Sequence, residues 1–139
     1  MKNIALSLCL CLALVLAACS SGNTASDTPP SVTGLYRGAF ESSNGLDAGT
    51  MILNIVEDES MVISGTVQFE FTKTDLTCLR PSTIAGNIAG FAVALTSDQS
   101  GGILTLQLTF DGTTLTGTYI TSGTPCSSFS GSGAITLTR

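Results

Sequence analysis

The sequence lacks most of the side chains on which catalytic and metal sites are commonly built. Its 139 residues include no histidine and no tryptophan, and only two tyrosines. Histidine is the usual general base near neutral pH and the commonest metal ligand. The carboxylates of Glu57, Asp58 and Glu59 crowd one predicted hairpin tip and do not face one another across a cleft. We therefore expect no catalytic residues, no metal site, no cofactor and no enzymatic activity.

Positive charge is also scarce. Five lysine and arginine residues stand against ten acidic ones, which gives a formal net charge of −5. No basic patch can be built from so few cations, and a surface of this sign is repelled by phosphate groups. Nucleic acid and anionic lipid are therefore excluded as expected partners of the folded part.

Long hydrophobic runs are absent except at the N-terminus, where Lys2 precedes an apolar segment from Ile4 to Leu16. The segment is shorter than the roughly 20 residues that a membrane-spanning helix needs. It is typical of a signal peptide, with small residues before the cleavage point.

The tetrapeptide Leu16-Ala17-Ala18-Cys19 resembles the lipobox of bacterial lipoproteins. The resemblance implies cleavage before Cys19, acylation of that cysteine (palmitate among the acyl groups) and a membrane as partner through the N-terminal lipid. Ser20 in the second mature position, in place of Asp, implies the outer membrane facing the periplasm if the source is Gram-negative. The predicted organisation is a lipoprotein signal peptide at 1–18, a lipidated cysteine and flexible tether at 19–32, and a folded domain at 33–139.

Few cysteines remain after export. Cys9 and Cys11 leave with the signal peptide and Cys19 carries the lipid, so Cys78 and Cys126 are left. An even pair in an exported chain predicts a disulfide, with free thiols or a metal site as the alternatives.

The folded domain is predicted to be all-β. Short runs rich in Val, Ile, Leu, Thr and aromatic residues alternate with turn dipeptides such as Asn44-Gly45 and Asp111-Gly112. The eight predicted strands are Leu35–Glu41, Thr50–Glu57, Met61–Phe71, Thr83–Ile88, Phe91–Ser97, Ile103–Phe110, Thr114–Thr121 and Gly133–Thr138.

Glycine recurs on the inward-facing register of these strands, at Gly65, Gly86 and Gly117. Mid-strand glycine weakens a flat sheet but permits the sharp coiling of a small barrel. The pattern Ile63-Ser64-Gly65-Thr66 returns as Leu115-Thr116-Gly117-Thr118, so the domain divides into two four-strand halves. We predict a small eight-stranded antiparallel up-and-down barrel, with a β-sandwich as the alternative.

The combination of Gly34-Leu35-Tyr36 in the first strand with Arg139 directly after the last resembles a minimal lipocalin-like (calycin) barrel. The segment Gly131–Arg139 resembles the end of a group of small bacterial lipoproteins of unknown function. The calycin resemblance implies that Arg139 lies over Tyr36 in a cation–π contact that closes the barrel. The alternative is an arginine that ends the chain in solvent.

Two functions fit such a domain. In the favoured one, a monomeric barrel binds an envelope protein or an inhibitor-type target through the loops Thr72–Ser82 and Ser122–Ser132, held by the predicted disulfide. In the alternative, the interior carries a small apolar ligand, unless side chains fill it completely. The ligand-contacting candidates are Tyr36, Phe40, Phe69 and Tyr119, with Ile63, Val67, Leu106 and Leu108 as further lining residues.

Overall fold

The turn-punctuated apolar runs form eight antiparallel strands in a computed structural model, which describes residues 30–45, 47–72, 79–99, 101–123 and 131–139. The strands are β1 Gly34–Ser42, β2 Ala48–Glu57, β3 Val62–Phe71, β4 Ser82–Ala89, β5 Ala92–Gln99, β6 Gly102–Phe110, β7 Thr114–Gly123 and β8 Ser132–Thr138. The all-β prediction is confirmed, and every predicted strand overlaps an observed one. No helix among the described residues is long and apolar enough to cross a membrane.

The sheet closes on itself. Each strand pairs with its neighbours in sequence, and β1 also pairs with β8 in a register that runs from Arg37 opposite Thr138 to Ser42 opposite Gly133. Closure leaves no strand of the sheet with an unpaired edge. The predicted up-and-down barrel is therefore confirmed, the alternative sandwich is wrong, and the architecture is compatible with a lipocalin-like fold.

The inward faces of the strands fill the barrel. Along β6, Leu104, Leu106 and Leu108 are buried while Gln107 is exposed, as a period of two requires. The largest side chains with less than 2% exposure are Tyr36, Tyr119, Phe40, Phe110, Met51, Leu53, Ile55, Ile63, Leu95, Leu104, Leu106 and Leu115. They belong to one continuous hydrophobic cluster, so the described interior is a packed core.

The up-and-down order gives the barrel two different ends. One end of the barrel is where β1, β3, β5 and β7 finish and β2, β4, β6 and β8 begin, and we call it the loop end. The short connections 58–61, 90–91 and 111–113 lie at the other, the closed end. The chain enters β1 at the closed end, and its last residue, Arg139, lies there too.

The predicted turn glycines have left-handed backbone. Gly45, Gly90 and Gly112 have φ values of 69°, 61° and 106° in the connections between β1 and β2, β4 and β5, and β6 and β7. Asp111 supports its turn, because its Oδ1 accepts hydrogen bonds from the amides of Thr113 and Thr114 at 2.9 and 2.7 Å. These turns have the local chemistry of tight hairpins.

The mid-strand glycines are places where two strands approach too closely for a side chain. At Gly65, Gly86 and Gly117, an added Cβ atom would lie less than 3.0 Å from the backbone of an adjacent strand. Such a close approach is expected where the strands of a small barrel coil strongly.

Replacement of Gly86 by alanine tests this constraint. Because the new methyl group would meet the Ala94 carbonyl and not a movable side chain, we expect Gly86→Ala to lower the free energy of unfolding by about 2 kcal/mol or more. Urea denaturation followed by circular dichroism measures the change. Ala85→Ser, at an exposed neighbouring position, is the control, with an expected effect within about 0.5 kcal/mol. Equal stability of Gly86→Ala and the wild type would contradict the account.

Candidate functional site at the loop end

An aromatic cluster occupies the loop-end half of the barrel. Phe40 on β1 is its centre, with ring centroids 6.0 Å from Phe69, 5.6 Å from Phe71 and 6.0 Å from Tyr119. All three contacts are nearly perpendicular, the edge-to-face geometry that aromatic quadrupoles favour. Phe40 and Tyr119 are buried, whereas Phe69 and Phe71 on β3 are only partly buried. The cluster therefore keeps part of its aromatic surface exposed at the loop end.

Three of the four ligand-contacting candidates meet in this cluster: Phe40, Phe69 and Tyr119. The fourth, Tyr36, lies toward the closed end, where its ring is 6.1 Å from that of Phe110. Tyr36 and Phe40 share the inward face of β1 but lie four residues apart, about 13 Å along a strand. Phe71 is a cluster member that the ligand prediction omitted, although its alternation with Phe69 is visible in the sequence.

A polar cluster of Ser82, Ser97 and Gln99 lies on the β4–β5 side of the same end. The Ser82 and Ser97 hydroxyls are 2.5 Å apart, and Gln99 Nε2 donates to both, at 2.6 and 3.1 Å. Gln99 Oε1 accepts from the backbone amide of Arg80 at 2.8 Å. Ser97 and Gln99 are 3% and 5% exposed, so their hydrogen bonds offset the cost of burying them.

The connection between β1 and β2 places a carboxylate inside the loop end. Asp47 is 2% exposed, and its amide donates to Ser42 Oγ at 2.9 Å. That hydroxyl in turn donates to Asn44 Oδ1 at 2.7 Å. Burial, and secondarily the negative charge of Asp47, raise the pKa of the Tyr119 phenol to about 12. The loop end is therefore polar as well as aromatic.

The described end of the β3–β4 connection, residues 79–81, packs against the barrel. Leu79 is 5% exposed and belongs to the core cluster, while Arg80 bonds to Gln99 through its amide. Sequence reasoning missed Leu79, because a single leucine in a polar loop has no periodicity to reveal its direction. Cys78 and Cys126 lie outside the described residues, so the disulfide stays a prediction.

An open depression of about 470 Å³ lies on the rim of the loop end. Its lining residues come from the ends of three adjacent strands: Asp98, Gln99, Gly101, Gly102, Ile103, Ser122 and Gly123. Gln99 belongs to both the depression and the polar cluster, so the two features are continuous. A second depression, of about 320 Å³, lies along β5 and β6 and is lined by Ala92, Val93, Ala94, Gln107, Leu108 and Thr109.

Arg139 contacts two aromatic rings and three backbone carbonyls at the closed end. Its guanidinium carbon lies 6.0 Å from the centroid of the Tyr36 ring and 5.5 Å from that of Phe110. Its Nη1 donates to the carbonyls of Ser31 and Thr33 at 3.2 and 3.1 Å, and its Nη2 to that of Gly112 at 2.5 Å. The C-terminal residue thus fixes the incoming chain to the β6–β7 turn.

Two further contacts hold the incoming chain. The Tyr36 hydroxyl donates to the Val32 carbonyl at 2.8 Å, and Glu57 Oε2 accepts from the Val32 amide at 2.9 Å. Val32, which the sequence placed at the end of the tether, is fully buried. Burial raises the pKa of Tyr36, and the Arg139 guanidinium opposes part of that rise.

Among the residues that the structure describes, no group of three or more acidic or cysteine side chains could hold a metal ion. Comparison of the chain with protein-family models, curated proteins and solved structures finds no match. The interpretation of the site therefore depends on its own geometry.

Removal of the Tyr119 hydroxyl tests the electrostatics of the loop end. The folded-state pKa of about 12 lies above the ordinary value of about 10. The neutral phenol thus stabilises the fold fully below about pH 10, and this contribution is lost as the pH rises toward 12. We expect the free energy of unfolding to fall less steeply over this interval in Tyr119→Phe than in the wild type. Ultraviolet titration measures the ionisation of the tyrosines, and urea denaturation at each pH measures the free energy of unfolding. The same pH dependence of stability in Tyr119→Phe and the wild type would contradict the raised pKa of Tyr119.

Two arginines allow a matched test of the closed end. Arg139→Ala removes three bonds to backbone carbonyls, and we expect a loss of about 1–2 kcal/mol in the free energy of unfolding. Arg37→Ala breaks only a 2.6 Å surface ion pair with Glu70, between side chains 62% and 55% exposed. We expect that change to cost less than about 0.5 kcal/mol. Equal losses in chemical denaturation would show that Arg139 does not close the barrel.

Proposed function

We propose that this chain is an exported, lipid-anchored protein whose barrel is a non-catalytic binding module for an envelope protein, which it contacts through the loop end. In this proposal it is one of the small lipoproteins with a lipocalin-like barrel that its sequence resembles. The proposal depends on one observation, that the chain enters the barrel at the end opposite the loop end. The chain enters β1 at the closed end, while the strand ends joined by the two longest connections lie at the loop end.

The anchoring geometry supports this orientation. A lipid on Cys19 would tether the barrel through Ser31, which hydrogen bonds to Arg139 and Glu57 at the closed end. A strand of about ten residues, tilted as barrels require, places the opposite end roughly 25 Å farther from the membrane. The loop end would therefore face the aqueous compartment, where a protein partner is reachable.

The packed interior favours a macromolecular partner over an enclosed ligand. The core residues from β1 to β8 are nearly all less than 6% exposed, and the larger described depression lies on the loop-end rim. Loops carried by a rigid scaffold are the usual location of protein-binding residues. The predicted bridge between Cys78 and Cys126 would restrain two of those loops.

One observation favours the alternative of a small apolar ligand. Phe69 and Phe71 are only partly buried beside Phe40 at the loop end. Aromatic surface of this kind is typical of apolar ligand sites. The ligand would then sit at the mouth of the barrel, above the packed core.

Photo-crosslinking in the native envelope distinguishes the two functions. Ser122 and Thr118 are exposed on the same strand, but only Ser122 lines the loop-end depression. With a benzophenone amino acid at either position of the full chain, we expect a discrete protein adduct from position 122 and none from 118. Adducts of equal yield from both positions, or a co-purifying small apolar molecule with no protein adduct, would contradict the proposal.

The same cells test the anchor. Cys19→Ala removes the acceptor of the lipid, so we expect the variant to leave the membrane fraction while the wild type stays in it. Equal membrane association of the two proteins would show that Cys19 does not anchor the chain.

A further inference from the structure

The exposed apolar side chains are distributed unequally between the two ends. Five of the seven large hydrophobic residues exposed in the described chain lie toward the closed end, and we call these five the apolar collar. They are Leu35 at 63%, Val56 at 52%, Met61 at 56%, Val62 at 50% and Phe91 at 50% exposure. The other two of these seven described residues, Ile103 and Ile120, are each 47% exposed and lie toward the loop end.

Three members of the collar lie near one another on the outer wall. Leu35 on β1 is diagonal to Val56 on β2, because its direct partner is Asn54. Val56 pairs with Ser64 on β3 and is thus diagonal to Val62. Diagonal neighbours lie about 7–8 Å apart on one face of a sheet, so the three side chains share one area of the outer wall.

The other two members, Met61 and Phe91, lie on adjacent hairpin tips. The Met61 carbonyl accepts from the Ile88 amide at 3.1 Å, and the Phe91 carbonyl from the Phe110 amide at 2.8 Å. Met61 also has a φ of 62°, the only described non-glycine residue in left-handed backbone. Glycine or asparagine would take that conformation at lower cost. A large apolar side chain is thus held at a tip where local backbone preference does not favour it.

The length of chain outside the barrel determines what the collar can meet. From Ser31, held at the closed end, twelve residues lead back to Cys19. Even fully extended they span at most about 40 Å, and a flexible chain of that length averages roughly 20 Å. An anchored barrel therefore keeps its collar close to the lipid surface, at a high effective concentration.

The charge of the closed end determines which lipid headgroups the apolar collar could approach. Asp58, Glu59 and Asp111 are exposed there. Arg139 is the one cation at this end of the described structure, and it bonds to three backbone carbonyls. Anionic headgroups would repel this surface, whereas zwitterionic ones would not.

We propose that the apolar collar docks on the zwitterionic surface of the membrane that holds the lipid anchor, so that the barrel stands with its loop end outward. This inference rests on the proposed anchor at Cys19. The collar side chains would reach the headgroup region, the depth at which amphipathic surfaces bind. Docking would fix the orientation that the tether alone leaves free.

The absence of tryptophan from the sequence allows a single-reporter test. Phe91→Trp places the reporter in the collar, and Ile103→Trp places it on a similarly exposed apolar position at the loop end. The acylated mature protein is reconstituted into phosphatidylcholine vesicles with brominated acyl chains, which quench nearby tryptophan. For a residue at interfacial depth, we expect Phe91→Trp to be quenched at least about twofold more strongly than Ile103→Trp. Equal quenching of the two reporters would overturn the docking.

Two changes probe the collar and its charge. Met61→Asn, in the Phe91→Trp background, removes an apolar tip and suits the left-handed backbone, so we expect weaker quenching with the fold retained by circular dichroism. We also expect weaker quenching when part of the phosphatidylcholine is replaced with phosphatidylglycerol, because the anionic headgroups would repel the acidic closed end. Unchanged quenching after Met61→Asn, or stronger quenching on anionic vesicles, would contradict the proposal.

Vesicle sedimentation separates this inference from the function on which it rests. Protein that sediments with the vesicles without preferential quenching at position 91 refutes the docking and leaves the anchor intact. Protein that does not sediment refutes the anchor, and the docking with it.

Discussion

Closure of the sheet by pairing of β1 with β8 is the constraint on which the rest of the structure depends. A closed sheet of eight strands has an interior that side chains can fill, so the inward face becomes a packed core. Closure of a small barrel also requires its strands to coil strongly. This explains why the backbone of an adjacent strand lies where a side chain would be at Gly65 and Gly117. Because the strands run up and down, the three turns of the closed end lie opposite the strand ends that the two longest connections join.

The two ends are stabilised by different interactions. At the closed end, Arg139 joins the incoming chain, two aromatic rings and a hairpin turn through hydrogen bonds and cation–π contacts. At the loop end, aromatic edges around Phe40 meet hydrogen-bonded polar side chains around Gln99. In the proposed function, the closed end holds the domain in place and the loop end contacts the partner.

Much of the fold could be predicted from the sequence, because period-two alternation and turn glycines are local signals. The site was less predictable, since it depends on where distant strand ends meet. Phe40 and Tyr36 look equivalent on β1, but the strand rise puts them in different halves of the barrel. Ser97 and Gln99 continue the inward register of β5, yet polar residues at a strand end resemble the start of a loop. The burial of Asp47 and Leu79 depends on loop paths that no local pattern encodes.

The proposed function requires that the closed end of the barrel faces the membrane, and this orientation depends on the chemistry of Cys19. The intact mass of the protein purified from its native envelope tests that point most directly. We expect a mature chain that begins at Cys19 and carries the added mass of a diacylglycerol and an N-acyl group. A chain that still begins at Met1, or a mature chain with an unmodified Cys19, would contradict it.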